Sequence, residues 1–273
     1  MPVFLKKRVH FQSINRDSSE NTIENTIENT IENTIENTIE KEIPFINNDI
    51  EFYFYIRGHI RDSFNTDRLK NFVKLLKSNF KNIKFILQTW KHRECKKNES
   101  WRSIKEDNTV ISREIIENYF KDKDITERCL IIDEQSIEIV GKTSGKLGGS
   151  PAPIIGWKNM WYGIYKGLEH LDDNSSNIIV SFRYDYFNIG QSKGINEEQI
   201  IKFISDNLNS VCIRFIKYNC EGTDNLYMGR CNKIKTLIKR FHYNLDDILD
   251  TNKSSIPPQY NQERLVNIVA NSI

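Results

Sequence analysis

The chain has 273 residues, 38% of them hydrophobic and 28% charged, a composition typical of globular proteins and unlike that of fibrous or membrane proteins. Residues 1–49 carry five Lys/Arg and nine Asp/Glu, so their net charge of −4 leaves +6 on the rest of a chain whose total is +2. A body at +6 tolerates phosphate-bearing ligands but lacks the dense basic stripe of a nucleic-acid-binding protein. No nucleic-acid partner is therefore expected.

The cysteine pattern and the lack of long apolar runs bear on location. The five cysteines form neither a Cys-x-x-Cys pair nor a Cys/His ligand set, which predicts free thiols in a reducing compartment. No stretch approaches the roughly 18 apolar residues of a membrane span, and the first residues lack the apolar run of a signal peptide. We expect a cytoplasmic protein without a membrane span, located in the host cytoplasm if the chain is viral.

The N-terminal segment, residues 1–49, is of low complexity. Residues 21–40 are five consecutive copies of Asn-Thr-Ile-Glu. In a helix, a four-residue repeat rotates each Ile by about 40° from the last, whereas a coiled coil needs apolar residues every 3.5 positions. One Ile in four residues buries too little surface to offset the entropy of ordering. We expect a disordered segment, followed by a single α/β domain over residues 50–273.

Strand and helix patterns alternate along that domain. Short apolar runs predict strands at residues 51–56, 83–87, 129–132, 178–182 and 211–216. Amphipathic spacing predicts helices from a cap at 65 or 66 to residue 80, and at 112–120, 157–171, 197–208 and 233–241. Residues 141–156 are predicted to form a loop and residues 221–225 a polar turn. The alternation predicts a Rossmann-related α/β fold with a mostly parallel central sheet flanked by helices.

In such folds, ligands bind beyond the carboxyl ends of the strands. Arg57-Gly58-His59-Ile60-Arg61 follows the first predicted strand. Glycine allows close approach of the backbone to a ligand, and Arg offers a forked donor suited to phosphate. If the segment is extended, positions 57, 59 and 61 point the same way and could hold a diphosphate. A solvated basic loop is the alternative.

Further candidates follow the other strands. Trp90 ends the second strand and could stack on a nucleobase or a sugar, or cap the core. Beyond the fourth strand, Asp185 is a candidate ligand of Mg²⁺ or Mn²⁺ bridging a diphosphate, and Arg183 could neutralise the leaving group. A strand-end Asp also often caps a turn. Asp224 is a candidate base towards an acceptor hydroxyl, or an N-cap.

The order of these motifs resembles a group of glycosyltransferase-like proteins encoded by giant DNA viruses and bacterial polysaccharide loci, whose fold looks like the GT-A nucleotide-sugar type. The matching segments lie within about residues 51–250: Tyr-Ile-Arg-Gly-His-Ile-Arg, Ile-Leu-Gln-Thr-Trp, Pro-Ile-Ile-Gly-Trp-Lys-Asn-Met-Trp-Tyr-Gly, Ile-Val-Ser-Phe-Arg-Tyr-Asp-Tyr-Phe and Thr-Asp-Asn-Leu-Tyr-Met-Gly.

The resemblance implies that Arg57 and Arg61 contact the donor diphosphate and that Asp224 lies near the acceptor. Arg183 and Asp185 occupy the place of the Asp-x-Asp motif of GT-A enzymes. One Asp stands there instead of two, so dependence on Mn²⁺ or Mg²⁺ is an open question.

Transfer of a sugar from a nucleoside-diphosphate sugar to a glycan or protein hydroxyl is therefore the expected function. The predicted donor-binding set comprises Arg57, Gly58, His59, Arg61, Trp90 and Arg183. The missing second Asp favours the alternative, a catalytically inactive glycosyltransferase-like interaction protein.

Overall fold

The computed structural model describes residues 50–100, 104, 106–147, 152–173, 176–188, 194–218, 221–252 and 262–273. The Asn-Thr-Ile-Glu repeats and the predicted disordered segment 1–49 lie outside the described residues.

One six-stranded sheet organises the described part of the chain. Its strands are β1 (Phe52–Arg57), β2 (Ile83–Trp90), β3 (Cys129–Ile132), β4 (Ile178–Arg183), β5 (Arg214–Tyr218) and β6 (Glu221–Arg230). Their order across the sheet is β3-β2-β1-β4-β6-β5. β1 to β4 are parallel, whereas β6 is antiparallel to both of its neighbours, β4 and β5. The predicted α/β class with a mostly parallel sheet is confirmed.

Eight α-helices lie within the described residues: α1 (Arg68–Asn79), α2 (Arg113–Phe120), α3 (Lys123–Thr126), α4 (Ile154–Leu168), α5 (Glu197–Asp206), α6 (Cys231–Tyr243), α7 (Leu245–Asn252) and α8 (Gln262–Asn271). Short 3₁₀ turns occur at Ser63–Asn65, Lys97–Glu99 and Tyr184–Phe187. Across the described ranges, no helix has the length and apolar character needed to span a bilayer.

The position of α4 over the sheet matters most for the site described below. Its apolar stripe packs on the sheet and on α6, where Trp161 stacks on Phe241 with ring centroids 4.3 Å apart. The hydroxyl of Tyr55, on β1, donates to the main-chain oxygen of Gly163 at 3.2 Å. A Cβ on Gly167 would lie 2.3 Å from that same hydroxyl oxygen. Glycine therefore lets α4 approach the centre of the sheet closely.

Two local predictions are wrong. The first helix is capped by Asp67 and not by residue 65 or 66, because Ser63–Asn65 forms a separate 3₁₀ turn. The predicted polar turn at 221–225 belongs to strand β6. Gly, Thr, Asp and Asn are typical of turns, but pairing of the first residues of β6 with β5, Glu221 with Tyr218 and Gly222 with Lys217, overrides that local preference.

Candidate functional site

The switch point of the sheet lies between β1 and β4. The chain passes from β1 through β2 to β3 on one side, and then returns to place β4 on the other side of β1. In parallel α/β sheets, a crevice opens at such a point beyond the carboxyl ends of the strands. Arg57 is the last residue of β1 and is in register with Gln88 of β2 and Arg183 of β4. All three strand ends therefore meet at this crevice.

Arg57 is a buried cation with neutral partners. Its residue is only 2% exposed. Its Nε donates to Oγ of Ser181 at 2.9 Å, its Nη2 donates to the main-chain oxygen of Asp224, and its guanidinium lies 5.4 Å from the ring centroid of Tyr227. No carboxylate of the described residues forms an ion pair with it. A buried charge without a counter-charge is energetically unfavourable, so this guanidinium favours an anion nearby.

Asp185 connects the two other arginines of the site. Its carboxylate accepts from Nε of Arg183 at 2.7 Å and from Nη2 of the same residue at 2.5 Å. It also accepts from Nη1 of Arg61 at 2.5 Å. Nε of Arg61 donates to Glu94 at 2.9 Å. Burial alone would lower the pKa of Arg61, but the charges of Asp185 and Glu94 outweigh it and raise that pKa.

The loop after β1 is not extended. Gly58 has a φ of +96° and Arg61 a φ of +50°, so the chain turns twice within four residues, and the condition for positions 57, 59 and 61 to share one direction is not met. A positive φ is readily adopted by glycine and is unfavourable for other residues. Arg61 is held in it by main-chain bonding to Arg93: its N–H donates to the Arg93 oxygen at 3.0 Å.

His59 packs against Trp90, with ring centroids 5.7 Å apart and planes at 24°. Its Nδ1 lies 3.2 Å from the main-chain oxygen of His92. Burial, helped by the charge of Arg61, lowers the pKa of His59 to about 3. The imidazole is therefore neutral at physiological pH.

A cavity of about 130 Å³ lies between the strand ends and the start of α4. One wall, here called the sheet wall, consists of strand-end and loop residues: Arg57, Gly58, His59, Arg61, Gln88, Trp90 and Arg183. The opposite wall, here called the helix wall, includes Glu99, Pro153, Gly156, Trp157, Asn159 and Met160. The cavity is smaller than the roughly 300–1,000 Å³ typical of sites that enclose a drug-sized ligand.

The helix wall is built on the first turns of α4. Pro153 precedes the helix and supplies no side-chain cap. A Cβ on Gly156 would lie 1.9 Å from the main-chain oxygen of Glu99, so this glycine lets the 97–99 turn pack against the helix. Asn159 then donates from Nδ2 to Oε2 of Glu99 at 3.2 Å. Burial raises the pKa of Glu99, and the charge of Glu134 contributes to the rise.

Three buried polar atoms of the cavity have no hydrogen-bond partner among the described residues. They are Nε2 of Gln88, Nε1 of Trp157 and Oδ1 of Asn159. The three residues are 1%, 2% and 7% exposed, respectively. Buried polar groups are almost always hydrogen-bonded in folded proteins, so these atoms mark where a ligand or water belongs.

The structure brings the six residues of the predicted donor-binding set together around this one cavity. Asp185 lies behind the sheet wall, bound to two of the arginines. Asp224 is 6% exposed, does not line the cavity, and holds Arg57 through its main-chain oxygen. The roles of Asp185 as metal ligand and of Asp224 as base stay predictions.

Sequence reasoning missed the helix wall. Glu99 lies in a loop without any motif, and Asn159 and Trp157 lie within an apolar helix, where a core role is the usual one. Gln88 was visible as a strand-end residue but was not assigned to the site. Asn159 lies on the side of α4 opposite its apolar stripe, about 200° around the helix from Trp157, so the helical periodicity gave no signal of a polar pocket.

The carboxylate of Asp185, the predicted metal ligand, is occupied by arginines. Guanidinium groups of Arg61 and Arg183 engage both oxygens of the Asp185 carboxylate. Within the described ranges, no group of three His, Cys, Asp or Glu residues has the geometry of a metal site. The reaction proposed below uses the arginines, and not a metal ion, to stabilise charge.

No protein-family model matches the chain, and comparisons with curated proteins and with solved structures find no match.

Proposed function

We propose that the protein is a GT-A-like glycosyltransferase whose cavity binds the diphosphate of a nucleoside-diphosphate sugar and which transfers the sugar to a glycan or protein hydroxyl. The observation that carries this proposal is Arg57, a buried guanidinium at the switch point that has no carboxylate partner among the described residues. An anionic ligand supplies the missing counter-charge. The mostly parallel sheet with its crevice at the switch point supports the nucleotide-binding part of the proposal.

The local charge balance supports a phosphate ligand on the sheet wall. Arg61 and Arg183 pair with the carboxylates of Asp185 and Glu94, so these residues together with Arg57 have a net charge of +1, while the carboxyl groups of Glu99 and Glu134 line the rest of the cavity. Nη1 of Arg57 makes no hydrogen bond to the described residues and is available to a phosphate oxygen. Arginine is suited to this contact because its guanidinium presents two parallel donors.

The start of α4 adds to this potential. Its first turn lines the cavity, and Pro153 leaves the helix end without a side-chain cap. The N-terminus of a helix carries unpaired N–H groups and a partial positive charge, which together favour phosphate. The N–H of Ile154 already donates to Gly145, so the helix end contributes its partial charge to the potential of the cavity, and the arginines supply the donors to the phosphate.

The size of the cavity indicates which part of the donor it encloses. At about 130 Å³ it is too small for a whole nucleotide sugar. We place the sugar and the adjoining phosphate inside, with the nucleoside outside the cavity. The acceptor hydroxyl oxygen forms the new bond to the sugar and releases its proton to water, while the bond between sugar and diphosphate breaks with its electron pair staying on the diphosphate, where Arg57 stabilises the developing charge.

Asp185 has a positioning role in this proposal. By bonding Arg61 and Arg183 together, it fixes both guanidinium groups before a ligand arrives, and preorganised donors stabilise developing charge without reorganisation.

Calorimetry tests the proposal with UDP, GDP and a panel of their sugar conjugates, each with and without Mn²⁺. We expect at least one conjugate to bind, and Arg57→Met to weaken that binding about 10- to 100-fold, the range for a lost hydrogen bond to a charged group. Arg113→Met is the matched control, since that arginine is 52% exposed and pairs with Glu117 on α2.

Arg57→Lys keeps the charge but loses the two parallel donors of the guanidinium. Its affinity for the conjugate should therefore lie between those of wild type and Arg57→Met. A circular-dichroism melt of each variant separates loss of binding from loss of folding. Absence of binding by every conjugate at millimolar concentration contradicts the proposal.

A second candidate is a non-catalytic protein that binds the same ligands. It is favoured by one observation: neither Asp185 nor Asp224, the carboxylates expected to act on the substrates, lines the cavity. Hydrolysis of a bound sugar nucleotide separates the two candidates. Turnover that is lost in Arg57→Met supports the transferase, whereas tight binding without turnover supports the binding protein.

A further inference from the structure

The helix wall, together with Gln88 of the sheet wall, has a hydrogen-bonding character different from that of the arginine cluster. Two unpartnered atoms, Nε2 of Gln88 and Nε1 of Trp157, are donors, and one, Oδ1 of Asn159, is an acceptor. The amide orientations are fixed by their other bonds. Oε1 of Gln88 accepts from the N–H of Gly58 at 3.4 Å. Asn159 donates to Glu99.

Donors and acceptors together select hydroxyl groups. A hydroxyl both donates and accepts, so it can satisfy all three of these atoms. A phosphate oxygen only accepts, and it would leave Oδ1 of Asn159 unpaired next to the Glu99 carboxyl. The arginine cluster has the opposite preference, because guanidinium groups only donate.

The carboxyl group of Glu99 fits a hydroxyl-bearing ligand as well. It lies within the same wall and is bonded to Asn159 at 3.2 Å. Its pKa is raised by burial, which brings the protonated form closer to physiological pH. A carboxylate accepts from a hydroxyl and a carboxylic acid donates to one, so both forms can bond a neutral ligand. The ionised form also repels an acidic ligand.

Apolar groups complete the lining. The rings of Trp90 and Trp157 and the side chains of Met160 and Ile164 contribute to the walls. A pyranose has C–H faces that pack on aromatic and aliphatic surface and hydroxyl edges that need polar partners. The cavity is compact, at about 130 Å³, so a single ring can contact both walls at once.

We propose that Gln88, Trp157, Asn159 and Glu99 form a pocket for one neutral pyranose ring, bound through its hydroxyl groups. This assignment rests on the proposed function in that the ring is the sugar of the donor. It adds that neutral sugars are preferred over acidic ones, and that different side chains bind the sugar and the phosphate.

The experiment compares UDP or GDP with the corresponding sugar conjugate by calorimetry, in wild type and two variants. Asn159→Leu and Gln88→Met keep side-chain size and remove the polar atoms. We expect the affinity of the bare nucleotide to stay within about twofold, while the advantage of the conjugate over the nucleotide falls about tenfold, as loss of one or two hydrogen bonds predicts. Asn71→Leu, on the exposed face of α1, is the matched control.

The outcomes separate this inference from the proposed function. If Asn159→Leu weakens nucleotide and conjugate equally, or neither, the sugar pocket is wrong while the diphosphate site stands. If no nucleotide binds, the proposed function fails, and saturation-transfer NMR with methyl pyranosides then tests the pocket alone. A methyl glucoside signal that Asn159→Leu abolishes supports the pocket, and equal signals in both proteins overturn it. A methyl glucuronide that binds as well as the glucoside overturns the preference for neutral sugars.

Discussion

The two ends of the central parallel strands handle charge in different ways. At the amino end, Glu51 accepts from Lys84 and from the hydroxyl of Tyr53, the latter at 2.6 Å, and the Glu51 and Lys84 side chains are 37% and 44% exposed. At the carboxyl end, the Asp185 side chain is 3% exposed and residue Arg57 2%. Water therefore solvates the charges at one end, and protein surrounds them at the other.

This contrast separates surface chemistry from site chemistry. Exposed ion pairs contribute little to stability because water and ions screen them. Buried charges carry a large desolvation penalty and depend on well-placed partners. A fold that keeps three arginines at one strand edge and leaves donors and an acceptor there unpartnered is preorganised for a ligand at that end.

The largest expected effect comes from removing one carboxylate at each end. Asp185→Ala leaves Arg61 and Arg183 without their shared counter-charge, and we expect it to lower the free energy of unfolding by about 3–5 kcal/mol. Glu51→Ala removes an exposed partner and should lower it by about 1 kcal/mol or less. Urea denaturation monitored by circular dichroism measures both. Similar losses for the two variants contradict the contrast between the ends.

A smaller effect is expected from filling the close contact that supports the helix wall. Gly156→Ala places a Cβ 1.9 Å from the main-chain oxygen of Glu99, which has no rotamer to move away. We expect a loss of about 1–3 kcal/mol of unfolding free energy, as for other overpacked sites. This outweighs the gain of roughly 1 kcal/mol from replacing a helical glycine.

Gly163→Ala, about two turns further along α4, is the control for Gly156→Ala. Its added Cβ meets side-chain atoms, at 3.0 Å from Trp90 and 3.1 Å from Gln88, and side chains can shift. Its loss should be smaller, as measured by the same urea titration. If the free energy of unfolding falls as much or more in Gly163→Ala than in Gly156→Ala, the 97–99 turn moves away from α4 to accommodate the added methyl group.

Much of this architecture could be predicted because it follows from local patterns. The aromatic run of β1 and the apolar stripe of α4, with Trp157, Trp161 and Leu168 at helical spacing, specify their elements directly. β6 could not be predicted in this way. Its first residues are turn formers, and they become a strand only because β5 offers partners to Glu221 and Gly222, whereas β4 pairs with residues 226–230.

The two walls of the site also differ in how far local sequence patterns predict them. The sheet wall could be predicted, because parallel strands end at one edge and Arg57 and Arg183 are the residues at those ends. The helix wall could not, since Glu99 and Asn159 are 60 residues apart and meet only where Gly156 admits the 97–99 turn. A periodic pattern places Asn159 on a helix but does not indicate what faces it.

The pH dependence of stability tests whether the carboxyl end of the parallel strands disfavours the protonated form of His59. Its pKa of about 3 in the folded state is below the usual 6.5, so between these values the unfolded chain binds more protons and stability rises with pH. The stability that depends on the neutral His59 imidazole is fully present above pH 6.5 and is lost as pH falls towards 3. From pH 7 to 5.5, His59 should account for a loss of about 1 kcal/mol.

His59→Gln should remove that part of the pH dependence, as measured by urea denaturation across pH 5.5–7. His170→Gln is the control, because His170 is exposed. If both variants keep the slope of wild type, His59 titrates normally and the sheet wall is wetter than its packing against Trp90 indicates.

The smallest effect is expected at Glu99, where the pKa is raised by burial. A Glu with a raised folded-state pKa binds more protons folded than unfolded, so wild type loses stability as pH rises above the unfolded value and the penalty persists at neutral pH. Glu99→Gln avoids the charge and keeps an acceptor for Asn159. It should be more stable than wild type at pH 7 by less than about 1 kcal/mol, since a partly open site is screened. The difference should vanish below pH 4.

Glu138→Gln is the control, because Glu138 lies at an exposed position. It should show no such pH-dependent gain in stability. A gain of equal size at Glu138 would mean that removal of any negative charge, and not burial at the helix wall, is the cause.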